Sequence, residues 1–260
     1  MADRVSPRGV DVSTPNTARI YDYMLGGKDN FAADREAAEQ ILKAFPESRD
    51  GVRHNRQFLG AAVRYMAEEA GIRQFVDIGA GLPTQNNVHE VAHSVAPKAR
   101  TVYVDNDPVV CVHGRAILAS SPGVAMMEGD LRKPQDIVSN AAASGLINWS
   151  EPVGVLMVAI LHFLADPYEE VARLREAMAP GSHLVVTHMT MSKERATDAE
   201  HVRKVYARAS SPLFPRPVED ITRFFGDFEE VDDTQFIDAS LRRRFASLGW
   251  AGVARKTQRG

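Results

Sequence analysis

A chain of 260 residues, 44% hydrophobic, 25% charged and 7% aromatic, can form one sizeable α/β core, and its composition excludes the disordered, collagen-like and membrane classes. The formal net charge of -3 supplies no global positive field of the kind that non-specific nucleic-acid binding needs, so no nucleic-acid partner is expected. The lone cysteine, Cys111, excludes an internal disulfide, the polar start Met1-Ala2-Asp3-Arg4 does not read as a signal peptide, and the longest apolar run, residues 153–161, falls short of the roughly 20 residues a spanning helix needs; a cytoplasmic protein without a membrane segment is expected.

Residues 1–13, with Pro7 and Gly9, carry no apolar period and are expected to be mobile. Thr14-Pro15 reads as an N-cap followed by proline at the first helical position, and Ile20, Tyr23 and Met24 recur at helical spacing until Gly26-Gly27 stops the helix. Two more helices are expected over about 30–42 and about 50–70, the second burying Val52, Leu59, Val63 and Met66, so that 14–72 forms a helical segment.

From Gln74 short β-branched runs alternate with helical stretches, the pattern of a parallel sheet built from crossover units. Strands are expected at 75–78, 101–104, 124–127, 153–160 and 183–187. Asp107-Pro108 and Asp166-Pro167 each offer a capping carboxylate followed by proline, so helices should begin there, with Gly181 closing the second. A helix over about 192–209 and a shorter one over about 218–225 precede strand candidates at 228–236 and 250–254, which flank a polar segment containing Arg242-Arg243-Arg244. That arginine run could attract an anion or simply form a solvated face.

Three stations along this pattern carry chemistry. In Asp77-Ile78-Gly79-Ala80-Gly81 an acid ends the first strand and two glycines precede a helix, which lets the backbone turn tightly, lets a ligand approach the main chain and offers helix-terminal amides. A glycine pair is also common in plain turns. The second strand ends at Asp105-Asn106, and an acid roughly 20 to 30 residues beyond a glycine loop suits both hydroxyls of a ribose. After the third strand, Asp130-Leu131 places an acid able to accept from an adenine amino group or to cap a helix.

Together the stations resemble the cofactor motifs of class I S-adenosylmethionine-dependent methyltransferases, over residues 75–255. The resemblance implies a Rossmann-like α/β fold with a seven-stranded, mostly parallel sheet, an antiparallel terminal strand and S-adenosyl-L-methionine as cofactor, with Ala159 at the end of the fourth strand joining the cofactor set. Nicotinamide-binding folds end instead on a parallel sixth strand. The segment Asn16-Thr17-Ala18-Arg19-Ile20-Tyr21-Asp22-Tyr23-Met24-Leu25-Gly26-Gly27-Lys28-Asp29-Asn30-Phe31, with Arg53-His54-Asn55-Arg56-Gln57-Phe58-Leu59, is similar to the signature of a largely uncharacterised bacterial family of such methyltransferases. The domain plan is then a helical lid over 14–72 on a cofactor-binding domain over 73–260.

The N-terminal segment has the parts of a lid: Gly26-Gly27 as a hinge, Tyr21 and Met24 as apolar cover, and Lys28 and Arg56 as cations. Arg56 can grip the carboxylate of the cofactor's methionine with two hydrogen bonds or sit in a weak surface ion pair. Candidate bases are His162, just past the fourth strand, and His188, just past the fifth, each equally readable as cavity wall or structural donor. Tyr21, Asp22 and His54 could line the same space. No spacing of histidines, acids and cysteines suggests a metal site, and no Gly-x-Ser-x-Gly elbow occurs. Val158-Ala159-Ile160-Leu161-His162-Phe163 lacks the Asn/Asp-Pro-Pro-Tyr arrangement of many amino-methylating nucleic-acid enzymes, which points to a small-molecule acceptor. Two other readings stand beside methyl transfer: a regulatory protein that binds the cofactor without turnover, and a nicotinamide-dependent oxidoreductase.

Overall fold

The structure is a computed structural model that describes residues 11–84, 86–118, 121–190, 196–238, 241 and 249–258. Its central strands are nearly continuous apolar runs, because a parallel sheet covered on both faces buries both sets of side chains. β1 (Gln74–Ile78), β2 (Arg100–Asp105), β3 (Val124–Glu128), β4 (Gly154–Val158) and β5 (His183–His188) are mutually parallel, and β1 and β5 are buried at every position. β6 (Glu229–Glu230) and β7 (Trp250–Arg255) complete a seven-stranded sheet in the order β3-β2-β1-β4-β5-β7-β6, with β7 antiparallel to both neighbours.

Alternation across the pleat feeds two cores. Val76, Ile78, Val102, Val104, Val155 and Met157 face one side, where α6 (Pro134–Ala143) and α7 (Tyr168–Ala177) contribute Ile137, Val171 and Leu174. Phe75, Tyr103, Leu156 and Val185 face the other, against Leu59, Val63 and Met66 of α3 (Ser48–Glu68) and Val88 of α4 (Val88–Val95). The third core has no strand in it. Ile20 and Met24 of α1 (Thr17–Leu25) and Ala38 and Ile41 of α2 (Ala32–Ala44) pack on Val202, Val205 and Tyr206 of α8 (Ala196–Tyr206). α5 (Pro108–Leu118) and α9 (Val218–Thr222) are further helices among the described residues.

The cover over the sheet therefore draws on two distant stretches of chain, whereas the sequence assigned all of it to 14–72. Several boundaries also move. α1 is capped by Asn16, whose side chain accepts from the Ala18 and Arg19 amides, rather than by Thr14. α5 begins at Pro108 as expected, with Asp107 accepting from the Val109 amide. α7 begins at Tyr168 with no carboxylate cap and ends at Ala177, before Gly181, whose positive φ of 86 turns the chain into β5. Of the strand expected over 228–236 only Glu229–Glu230 pairs, and the chain turns again at Asp233–Gln235.

Of the terminus expected to be mobile, residues 1–10 lie outside the described residues. Asp11 is tied down: its carboxylate accepts from the Ser13 and Thr14 amides and its carbonyl from Arg19. Arg242-Arg243-Arg244 also lies outside the described residues. No helix among the described residues is long and apolar enough to cross a membrane.

Candidate functional site

The strand order reverses between β1 and β4, so the loops leaving their carboxyl ends diverge and open a crevice. A cavity of about 980 Å³ lies there, roofed by α1, α3 and α8. Tyr21, Met24, Arg56, Asp77, Gly79, Ala80, Gly81, Asp105, Asn106, Asp130, Leu131, Ala159, His162 and His188 all line it, as does Asp22. Gly26, Lys28 and His54 lie outside the lining. Gly26 closes α1 in the left-handed region, at φ 84, with its amide on the Asp22 and Tyr23 carbonyls. It is a helix cap and stands outside the cavity lining.

The glycine loop is built differently from the sequence reading. The Gly79 and Ala80 amides donate to the Val104 carbonyl at 2.8 and 3.1 Å, and the Gly81 amide donates to Asp105 Oδ2 at 2.9 Å. α4 starts only at Val88, where Glu90 accepts from the Asn87 amide. The loop offers room rather than free donors. Gly79 and Gly81 both have positive φ, and a Cβ at Gly79 would stand 2.3 Å from Ile160 Cδ1, whereas one at Gly81 would meet nothing.

Three carboxylates face this loop in different states. Asp77 is buried, no described residue donates a hydrogen bond to it, and burial above all, with Asp105 nearby, pushes its pKa up to about 7 against the pull of Arg56. A buried carboxyl so placed suits a cationic ligand group. Asp105 accepts from the Asp107 amide as well as Gly81, and burial still raises its pKa. Asp130 does not cap a helix. It holds the Arg132 guanidinium along one edge at 2.6–2.9 Å, and that bond lowers its pKa. Its Oδ1 accepts from the Arg132 amide as well, at 2.9 Å. Arg56 lines the cavity and donates to the Asn86 carbonyl at 3.0 Å.

At the end of β4, Ala159 is held at φ 56, a conformation costing an L-residue with a Cβ roughly 1–2 kcal/mol. Its amide donates to Thr187 Oγ1 at 2.9 Å. The short 3-10 helix Leu161–Phe163 then brings in His162. His162 Nδ1 accepts from the Met189 amide at 3.3 Å, so the neutral ring carries its proton on Nε2. His188 donates from Nδ1 to the Met189 carbonyl at 2.8 Å and accepts at Nε2 from Arg216 at 3.1 Å. Burial first, then neighbouring positive charge, holds His162 well below its usual pKa; burial also lowers His188, to about 4. Both ring nitrogens of His188 are committed, which corrects its standing as a candidate base. His162 has a proton to give rather than a lone pair to take one.

Arg216, which sequence reasoning missed, organises this end. It is buried, and beyond His188 it donates to the carbonyls of Leu161, Leu164, Ala165 and Phe214. The Tyr168 and Phe224 rings lie within 6 Å of its guanidinium. The only sequence signal was an arginine between two prolines, Pro215-Arg216-Pro217.

The N-terminal signature is largely a scaffold for the roof. Arg19 and Asp34 form a 2.8 Å ion pair with side chains 5% and 0% exposed, and Asp34 also accepts from the Asn16 and Phe31 amides. Asn16 reaches across to Asp107 beside the sheet at 2.5 Å. Asp22 accepts from the Asp29 amide and the Asn30 side chain, shaping the turn after α1, and Tyr21 bonds Asn55 and the Val52 carbonyl. Among the described residues no group of three histidines, cysteines or acids is placed to hold a metal.

A family model of S-adenosyl methyltransferases matches residues 3–240. A crystal structure from Thermobifida fusca YX, described as a candidate methyltransferase, is 39% identical with a TM-score of 0.88, over 96% of this chain and 98% of that one. A DUF574 family protein from Streptomyces avermitilis MA-4680 is 36% identical with a TM-score of 0.87, over 95% of this chain and 99% of that one. Human N-acetylserotonin methyltransferase in complex with S-adenosylmethionine shares the fold at 15% identity and a TM-score of 0.50, over 94% of this chain and 63% of that one. No curated protein matches the sequence.

Proposed function

The chain belongs to the S-adenosyl methyltransferase family, and from that premise we propose that it moves the methyl group of S-adenosylmethionine to a small-molecule acceptor bound in the same cavity. The observation that carries the acceptor size is the cavity itself. At about 980 Å³ it lies near the top of the roughly 300–1,000 Å³ range of small-ligand pockets, and helices α1, α3 and α8 roof it.

When bound, S-adenosylmethionine supplies an electrophilic methyl on a sulfonium. The protein's work is to bind, orient and exclude water. In this reading Asp77 takes the amino-acid ammonium, Arg56 its carboxylate, Asp105 the ribose hydroxyls, and Asp130 with Leu131 the adenine edge. Gly79, Ala80, Gly81 and Asn106 leave the cofactor room against β1 and β2, while Ala159 bounds the sulfur end. Tyr21 and Met24 cover it from the roof. His162 positions the acceptor by donating from Nε2. Because neither histidine offers a lone pair, the acceptor arrives as a nucleophile that needs no side-chain base.

Two measurements test this. Calorimetric titration with S-adenosylhomocysteine should show one site per chain, and Asp105→Ala should weaken it by about 1.5–3 kcal/mol, the value of a charge-assisted hydrogen bond. Incubation with methyl-labelled cofactor and a fractionated metabolite extract should place label in low-mass products. Label found only in protein or nucleic acid would overturn the acceptor class.

A further inference from the structure

Beyond the cofactor stations the cavity wall carries two polar groups that no described residue satisfies. Tyr206 is 8% exposed and His162 7% exposed. No described residue bonds the Tyr206 hydroxyl, and the Met189 amide on Nδ1 leaves His162 with an unshared Nε2–H. The two belong to one row of rings: Phe163 lies 4.5 Å from His162 and 5.3 Å from Tyr206, centroid to centroid. Phe45 and Phe214 line the same cavity. Buried tyrosine hydroxyls and imidazole N–H groups ordinarily find partners, so two donors left open on an aromatic wall mark a ligand's polar atom.

Charge favours an oxygen with anionic character at that position. Arg216 stands directly behind the row, bonded to His188, whose ring lies 5.3 Å from that of His162. Carbonyls and an imidazole are its partners, and no carboxylate among the described residues pairs with it. Asp77, Asp105 and Asp130 gather instead at the glycine loop. The cavity is thus polarised, with carboxylates around the cofactor and a buried cation with two open donors at the far end.

We propose that the acceptor is a planar aromatic molecule bearing a hydroxyl, packed on the Phe163–Tyr206 ring pair, with its oxygen held by His162 Nε2–H and the Tyr206 hydroxyl. This names the acceptor within the function proposed above and rests on it. The hydroxyl loses its proton to solvent on binding. The oxygen's electron pair then forms the O–CH3 bond as the C–S bond breaks, and the C–S pair returns to sulfur as a neutral thioether. The donors select and orient the ionised acceptor, and Arg216 acts through them as a positioning residue.

The probes are 4-nitrophenol, whose absorbance reports its ionisation, and nitrobenzene, its counterpart without the hydroxyl. Protein saturated with S-adenosylhomocysteine should bind 4-nitrophenol at least tenfold tighter than nitrobenzene and lower its apparent ionisation midpoint, because a site built around a hydroxyl rejects the analogue lacking it. Tyr206→Phe should weaken 4-nitrophenol at least fivefold and leave nitrobenzene unchanged. Equal binding of the two probes by the unaltered protein, or no binding of either by protein that takes S-adenosylhomocysteine, overturns the acceptor class and needs no variant to read. Failure to bind S-adenosylhomocysteine would instead overturn the function on which it rests.

Discussion

The two ends of the cavity are held by different kinds of bond. Around the glycine loop, the bonds run through the main chain of two paired strand ends: the Gly81 and Asp107 amides donate to Asp105 and the Gly79 and Ala80 amides to the Val104 carbonyl, with Arg132 on Asp130 as a side-chain pairing. At the roof and the His162 end, side chains reach to remote stretches of chain: Arg19 to Asp34, Asn16 to Asp107, Arg216 to His188 and the carbonyls of the 161–165 turn. The first construction rests on the pairing of β1 with β2, which the main chain sets. The second is only as sound as the packing that brings distant segments together.

That contrast can be broken deliberately. The largest effect is expected from Asp34→Ala, which strands the Arg19 guanidinium in a fully buried site; loss of one partner of such a pair costs about 3–5 kcal/mol. Thermal unfolding should show the loss, and a change within 0.5 kcal/mol would mean that the roof does not depend on the pair. At the other end, Gly79→Ala drives a Cβ into Ile160 besides straining a positive φ, for about 2–4 kcal/mol, read as at least a 30-fold weaker binding of S-adenosylhomocysteine. Gly81→Ala carries only the strain, about 1 kcal/mol, so similar losses for the two glycines would contradict the close approach at Gly79.

A smaller effect separates the ends by pH. With its pKa raised to about 7, Asp77 is neutral below that pH in the cofactor-free protein, while an ammonium ligand needs the carboxylate. Binding then releases a proton, so cofactor affinity should rise by up to about tenfold per unit from pH 5.5 to 7 and level off above it. Asp77→Asn should flatten the curve, and a rise that persists in that variant would assign the titration elsewhere. The smallest change is Ala159→Gly, which relieves the left-handed alanine and should raise stability by about 0.5–1 kcal/mol, visible as a higher Tm.

The same division governs how much of the molecule was legible in its sequence. The five parallel strands and the acids at Asp77, Asp105 and Asp130 follow from local texture, since an apolar run ending in a carboxylate before a turn needs little else to place it, while the antiparallel β7 was implied by the family resemblance. The N-terminal signature was visible too, but its meaning was not. Arg19, Asp22 and Asn16 bind the roof together, and Gly26 caps a helix. Tyr206 falls within the helix expected over about 192–209, and no sequence motif singled it out. The assignment of α8 to the roof waited on its packing with α1 and α2.

Residues 74–131 determined the glycine-loop end apart from Arg56, because strand, turn and terminal acid follow one another in each unit and the β1–β2 pairing sets their geometry. Only the tertiary structure decided the His162 end of the cavity. Which histidine nitrogen carries a proton, and which hydroxyl lacks a partner, depends on contacts between residues 27 to 55 positions apart, such as Met189 with His162 and Arg216 with Leu161. Hydrogen-bonding state is a property of neighbours in space, and neighbours in space are what folding adds to a sequence.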